Sequence, residues 1–199
     1  MFQRRQQRTI LRKTREFFWP HMGFRRAAVY FWHRLQRIPG TPSSIAAGFA
    51  CGVGVAMTPF YGTHIVTAML LALAIRGSAF AAAIGAQVAN PWTAPPLWFA
   101  VYYIGAWLLG RDVGSTPPNF VRMFKGLTEA TLQLDGRLFV ETVWPVFGPM
   151  TLGSLPLGIL TGVVAYFILE PIIARVQHNR FLRLKSKKAA RAEQSGVQP

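Results

Sequence analysis

Residues 38–76 read IPGTPSSIAAGFACGVGVAMTPFYGTHIVTAMLLALAIR, and no charged side chain occurs among them before Arg76. A membrane-spanning helix needs about 20 apolar residues, so this stretch is too long for one simple span. It also carries a break. Ile45–Met57 predicts a helix, Thr58-Pro59-Phe60-Tyr61-Gly62-Thr63 a turn, and His64–Ile75 a second helix. Pro59 lacks a backbone donor and disfavours helix in the residue before it. Each half has about 11–13 residues and reaches about 16–20 Å, short of the roughly 30 Å hydrocarbon core. Two short helices meeting at a polar tip predict a re-entrant hairpin over residues 45–75.

Residues 77–110 have the same layout. Ala79–Ala89 is followed by Asn90-Pro91-Trp92-Thr93-Ala94-Pro95-Pro96 and then Leu97–Leu109. Pro95-Pro96 suits the first turn of a new helix, with Thr93 as its cap. Ser44 and Ser78 open the two stretches, Thr58-Pro59 and Asn90-Pro91 break them, and Arg76 and Arg111 close them. An internal repeat of hairpins, 45–75 and 79–110, follows as the expectation, because repeated broken helices build midplane sites in transporters.

Composition sets this centre in context. Of the 199 residues, 51% are hydrophobic and 15% charged, against about 25% charged in an average soluble domain. Lys and Arg number 22 against 7 Asp and Glu, and they gather at the ends. Residues 1–37 hold ten basic side chains against Glu16, and residues 175–199 hold seven against Glu193. Between Arg37 and Arg111 the only charge is Arg76. Basic ends around an uncharged middle describe a membrane protein, and nucleic acid is not expected as a partner. The lone Cys51 rules out a disulfide framework within one chain and reads as a small buried packing residue.

The fold class expected is therefore an all-α membrane protein of Pro-broken, re-entrant helical hairpins with a basic amphipathic N-terminal helix. Residues 1–40 form a basic interfacial segment, 41–174 the membrane domain and 175–199 a basic tail. The early basic run does not read as a cleaved signal, since Phe17-Phe18-Trp19 stops at Pro20. On a helical wheel over 24–38, Phe24, Ala27, Ala28, Phe31, Trp32, Leu35 and Ile38 share one side. Arg26 and Arg37 face away, with Arg25 and Arg34 at the edges, the pattern of a helix lying on an anionic leaflet. A short surface helix is expected at about 118–134, where Phe120, Phe124, Leu127, Thr131 and Leu134 recur at helical spacing. The apolar segment 142–172 is interrupted by Pro145, Pro149 and Gly153-Ser154-Leu155-Pro156, and either crosses once or folds back at Pro156. Lys and Arg favour the cytoplasmic side. Two returning hairpins would leave both termini, and the loop near residue 115, in the cytoplasm of a bacterial inner-membrane, multi-pass protein.

Catalysis has little to work with. No Asp or Glu occurs between Glu16 and Asp112, and no GxSxG, HExxH or phosphate-loop string is present. No enzyme activity, metal or cofactor is expected. Polar groups at membrane depth are costly and mark sites. Candidate binding residues are thus Thr58, Tyr61, Thr63, His64, Gln87, Asn90 and Thr93 at the two breaks, with Arg76 and Arg111 at the interface. Each break ends in a helix start, near Thr63-His64 and Thr93–Pro95, whose N–H groups and dipole favour an anion. The expected partners are the bilayer's anionic leaflet, a lipid phosphate such as a polyprenyl phosphate, and further copies of the chain. The alternative is a structural or accessory membrane protein whose polar tip residues only satisfy turns.

The strings Gly48-Phe49-Ala50-x-Gly52-Val53, Thr58-Pro59-Phe60-Tyr61-Gly62-Thr63-His64 and Ala89-Asn90-Pro91-Trp92-Thr93-Ala94-Pro95-Pro96 resemble domain-of-unknown-function family 2062. The resemblance covers roughly residues 25–172. It implies a bacterial integral membrane protein without an assigned activity. Some members of that family join a similar domain to a glycosyltransferase, and nothing in this chain resembles that part.

Overall fold

The computed structural model describes residues 24–90, 93–111 and 118–194. The basic run before Phe24, the Pro91-Trp92 pair of the second break, Asp112–Pro117 and the last five residues lie outside them. The described residues form helices and connecting turns, without a strand. Contacts divide the chain into residues 1–37 and 38–199.

In the first unit, helix α1 (Phe24–Leu35) carries His33 and Arg34 in its last turn, where cations complement the carbonyl end of the helix. Arg34 Nη1 donates to the Tyr30 hydroxyl at 3.3 Å, one turn back. The side chains of residues 24–28 and 31, including Arg25 and Arg26, lie outside the described ones.

The second unit begins at a capped helix. Thr41 Oγ1 accepts from the Ser44 amide at 3.2 Å, and Pro42 occupies the first turn of α2 (Pro42–Ala56). After the tip, α3 (His64–Ala74) packs beside α2. It ends in a left-handed cap at Arg76, φ 59°, with the Arg76 amide donating to the Leu73 carbonyl and the Gly77 amide to that of Ala72. The Ser78 amide then donates to the Ser44 carbonyl at 2.9 Å, so the chain has returned to the start of α2. Helix α4 (Ala79–Gly85) starts there, with Ser78 Oγ as its cap, and continues through a single 3-10 turn, Ala86–Val88. It runs parallel to α2, with Gly48 against Ser78 and Gly52 against Ala82.

Helix α5 (Ala94–Leu108) does not fold back along α4. It packs instead on the long last helix, α8 (Trp144–Gln194). The hairpin expected over 79–110 is corrected accordingly, and with it the repeat: the two stretches share their breaks but not their direction afterwards. Between α5 and α8 lie α6 (Phe120–Gln133), capped by Asn119, and α7 (Gly136–Thr142), capped by Asp135.

Helix α8 is 51 residues long and passes through Pro149, Pro156 and Pro171. The interruption expected at Pro145–Pro156 is absent, for a local reason. Pro145 sits in the first turn, where no donor is needed. Pro149 leaves the Pro145 carbonyl without its intrahelical partner, and Arg111 Nη1 supplies one at 3.2 Å. The Thr151 and Ser154 hydroxyls bond back to the Gly148 and Thr151 carbonyls within the same helix.

Glycines set the helix spacing. A methyl group at Gly105 would overlap the Pro149 carbonyl, and one at Gly153 the Val101 carbonyl, so α5 and α8 touch backbone to backbone. Gly54 meets Gly158 and Gly162 meets Ala50, so α2 approaches the next part of α8 in the same way. Both pairs run antiparallel. The interior is correspondingly small: Ala46, Ala68, Ala72, Ala81, Ala82 and Ala86 are fully buried, while Leu70, Leu73, Phe80, Ile159, Leu160 and Phe167 are exposed. Among the described residues, one helical stretch, Trp144–Ser186, is long and apolar enough to cross a membrane. Only 22% of its most apolar window is buried, unlike the core helix of a soluble protein.

Candidate functional site

The α2–α3 pair has two ends. At the base, residues 76–78 meet Ser44, the Ser43 and Tyr166 hydroxyls lie 3.2 Å apart, and Gln177 Nε2 donates to the Gly40 carbonyl at 3.1 Å. At the tip, residues 58–64 meet the second break and the amino-terminal half of α8. Arg111 reaches Pro145 beyond that tip. Pro145 and Gln177 are about 48 Å apart along α8 at 1.5 Å per residue. Arg76 and Arg111, which close equivalent-looking stretches in sequence, therefore stand at opposite ends.

The tip is an aromatic cluster around one buried histidine. Helical bonding stops after Met57, and Thr58 Oγ1 turns back to the Val55 carbonyl at 2.7 Å. Gly62 takes φ +103°, which a side chain would resist, and lets the loop close onto α3. The Gly62 amide donates to His64 Nδ1 at 3.2 Å, so a neutral His64 carries its hydrogen on Nε2. His64 is 6% exposed and stacks on Tyr61, ring centroids 5.2 Å apart. Tyr61 meets the edge of Trp98 at 5.9 Å, and its hydroxyl donates to the Ala89 carbonyl at 3.5 Å. Trp98 in turn packs on Phe120 and Phe124 of α6, and Phe60 on Phe147 of α8.

The second break is stitched by a reciprocal pair. The Asn90 amide donates to Thr93 Oγ1 at 2.9 Å, and the Thr93 amide to Asn90 Oδ1 at 3.1 Å. Thr93 Oγ1 also donates to the Val88 carbonyl. Of the sequence candidates, Tyr61, His64, Asn90 and Thr93 therefore converge through the Tyr61–Ala89 contact. Thr58 and Thr63 bond within their own turn, and exposed Gln87 bonds back to Ala83. Neither helix start uses its N-cap threonine side chain as a cap.

One feature was not anticipated. An apolar groove of about 500 Å³ runs between α2, α3 and α8. Ala47 and Cys51 line it from α2, Thr58 from the turn that follows, Leu71 and Ile75 from α3, and Ile159, Val163 and Tyr166 from α8. Cys51, expected to be buried, is only partly so and faces this groove. The signal available in sequence was the small-residue spacing Ala50-x-x-x-Gly54 and Gly158-x-x-x-Gly162, which brings backbones together. The 123-residue separation of Ser43 and Tyr166 hid the rest.

No group of three or more His, Cys, Asp or Glu that could hold a metal occurs among the described residues. No curated protein and no solved structure matches the chain significantly. The family model described as "Uncharacterized protein conserved in bacteria (DUF2062)" matches residues 25–181, most of the sequence, and the chain belongs to that bacterial family.

Proposed function

We propose that this chain is a multi-pass protein of the bacterial inner membrane that handles an anionic lipid, a phospholipid or a polyprenyl phosphate, without catalysing a covalent step. The observation that carries the reading is the inverted packing. Alanine and glycine fill the interior, while Leu152, Leu155, Ile159, Leu160, Val163, Phe167, Ile168 and Ile172 of α8 face outward. These residues extend over about 30 Å of helix, the thickness of the hydrocarbon core. Exposure on this scale is costly in water and favourable in lipid.

In this reading α2 and α3 enter from the base side and return, and α4 and α5 together cross as one broken passage. Helices α6 and α7 lie on the far face and α8 returns. Two full crossings leave both termini on one side, and the basic residues of 1–37 and 175–188 make that side cytoplasmic. The segment 118–143 then faces the periplasm, which replaces the expectation that the central loop shares the side of the termini. The basic helix α1 serves as an anchor on the anionic leaflet.

Liposomes carrying the purified protein and a fluorescent phosphate-bearing lipid test the activity. Faster transbilayer movement than in empty liposomes is the expected result. No acceleration across several anionic lipids would overturn lipid handling. A second reading, a structural membrane protein that assembles with partners or with its own copies, is favoured by one observation: Thr58, Thr63, Asn90 and Thr93 all have local hydrogen-bond partners.

A further inference from the structure

We infer that the groove between α2, α3 and α8 holds one acyl chain of an anionic phospholipid, with the headgroup at Arg76. The inference rests on the membrane reading above and assigns it a site.

Dimensions argue for the tail. The groove follows α8 from Ser154 to Tyr166, about 18 Å at 1.5 Å per residue. Half of a bilayer's hydrocarbon core is about 15 Å, so the groove is one leaflet deep. Its volume is about 500 Å³. A hydrocarbon chain fits this length and this apolar lining. The lining is apolar, and its polar members are already engaged: Thr58 with Val55, Ser154 with Thr151 and Tyr166 with Ser43.

Charge argues for the head. The base end of the groove is marked by Ile75 and Tyr166. Arg76 follows Ile75 immediately, is exposed, and is held by the left-handed cap and by the Ser44 Oγ bond to its carbonyl. It is also the only charge between Arg37 and Arg111. An anionic headgroup at this level pairs with Arg76 while its tail lies along the groove toward the tip.

Cys51 lines the groove and is the only cysteine, so the native chain carries its own reporter. The full chain is placed in phosphatidylcholine nanodiscs, with or without phosphatidylglycerol, and alkylation by N-ethylmaleimide is timed. Phosphatidylglycerol is expected to slow alkylation at least threefold, and Arg76→Gln to remove the difference. Ala47→Phe, which fills the groove, should lose phosphatidylglycerol retained in native mass spectrometry of the micellar protein. An alkylation rate indifferent to phosphatidylglycerol overturns the inference, as does protection that follows protein density instead of lipid. Protein found in carbonate-washed membranes with Cys51 unprotected would overturn the groove assignment alone. Protein found in the soluble fraction would overturn the proposed function with it.

Discussion

Arg111 Nη1 donates to the Pro145 carbonyl oxygen at 3.2 Å, the carbonyl whose intrahelical donor Pro149 removes. The two residues are 34 apart in sequence, and the bond ties the end of α5 to the first turn of α8. Arg111→Ala should lower stability in micelles by about 1 kcal/mol, the net worth of one hydrogen bond. In a Pro149→Ala background the helix regains its own donor, and the same Arg111→Ala change should then cost less than half as much. Thermal melts of the four proteins complete the cycle, and equal costs in both backgrounds would reject the exchange of partners.

Glycine contacts give a stronger effect. A Cβ at Gly105 would overlap the Pro149 carbonyl, and one at Gly52 the Ala82 carbonyl. Neither obstacle is a flexible side-chain end, so the helices must separate. Gly105→Ala and Gly52→Ala should each destabilise by about 1–3 kcal/mol, the usual cost of overpacking. Gly136 has open space around its Cβ position and begins a helix, so Gly136→Ala should be neutral or slightly stabilising. Melting temperatures in one detergent provide the comparison.

Asn90 and Thr93 make a reciprocal turn, so Asn90→Ala and Thr93→Ala should each cost about 1 kcal/mol, and the double variant no more than either alone plus a few tenths. Thr93→Ser keeps the hydroxyl and should keep stability. Measured beside lipid movement, the pair is informative. Loss of transport in Asn90→Ala at unchanged melting temperature favours a binding role, and parallel loss of both favours a turn-shaping role.

Sidedness can be read by cysteine labelling in a Cys51→Ser background. Leu132 on α6 is 79% exposed. Leu132→Cys should react with an impermeant maleimide added to intact spheroplasts, and a cysteine at position 190 should react only after lysis. Labelling of position 190 from outside would reverse the proposed topology.

Much of the local structure was legible in sequence because proline and glycine act locally. Pro59 and the Asn90-Pro91 pair announce where helices stop, whereas α2 starts at Pro42, three residues before the expected Ile45, because Thr41 caps it. Direction after a break is another matter. The first stretch returns because Ser78 finds Ser44; the second proceeds because Gly105 and Val101 find Pro149 and Gly153. Those partners lie far along the chain and leave no mark in the local pattern. The same holds for α8. Pro149 looks like a break until Arg111 is seen beside the carbonyl it frees. At the site, the polar tip residues stood out by type, whereas the apolar groove did not, since it is made of ordinary small residues brought close.

The two glycine faces of α2 also bear on biogenesis. One face closes early, because Ser78, Ala82 and Gly85 follow Gly48 and Gly52 closely in the chain. The other closes on Gly158 and Gly162, which leave the ribosome about a hundred residues after Gly54. At roughly 5–20 residues per second, α2 and α3 wait several seconds with that flank open. Until α8 is made, that face of α2 lacks the glycine partners that close it.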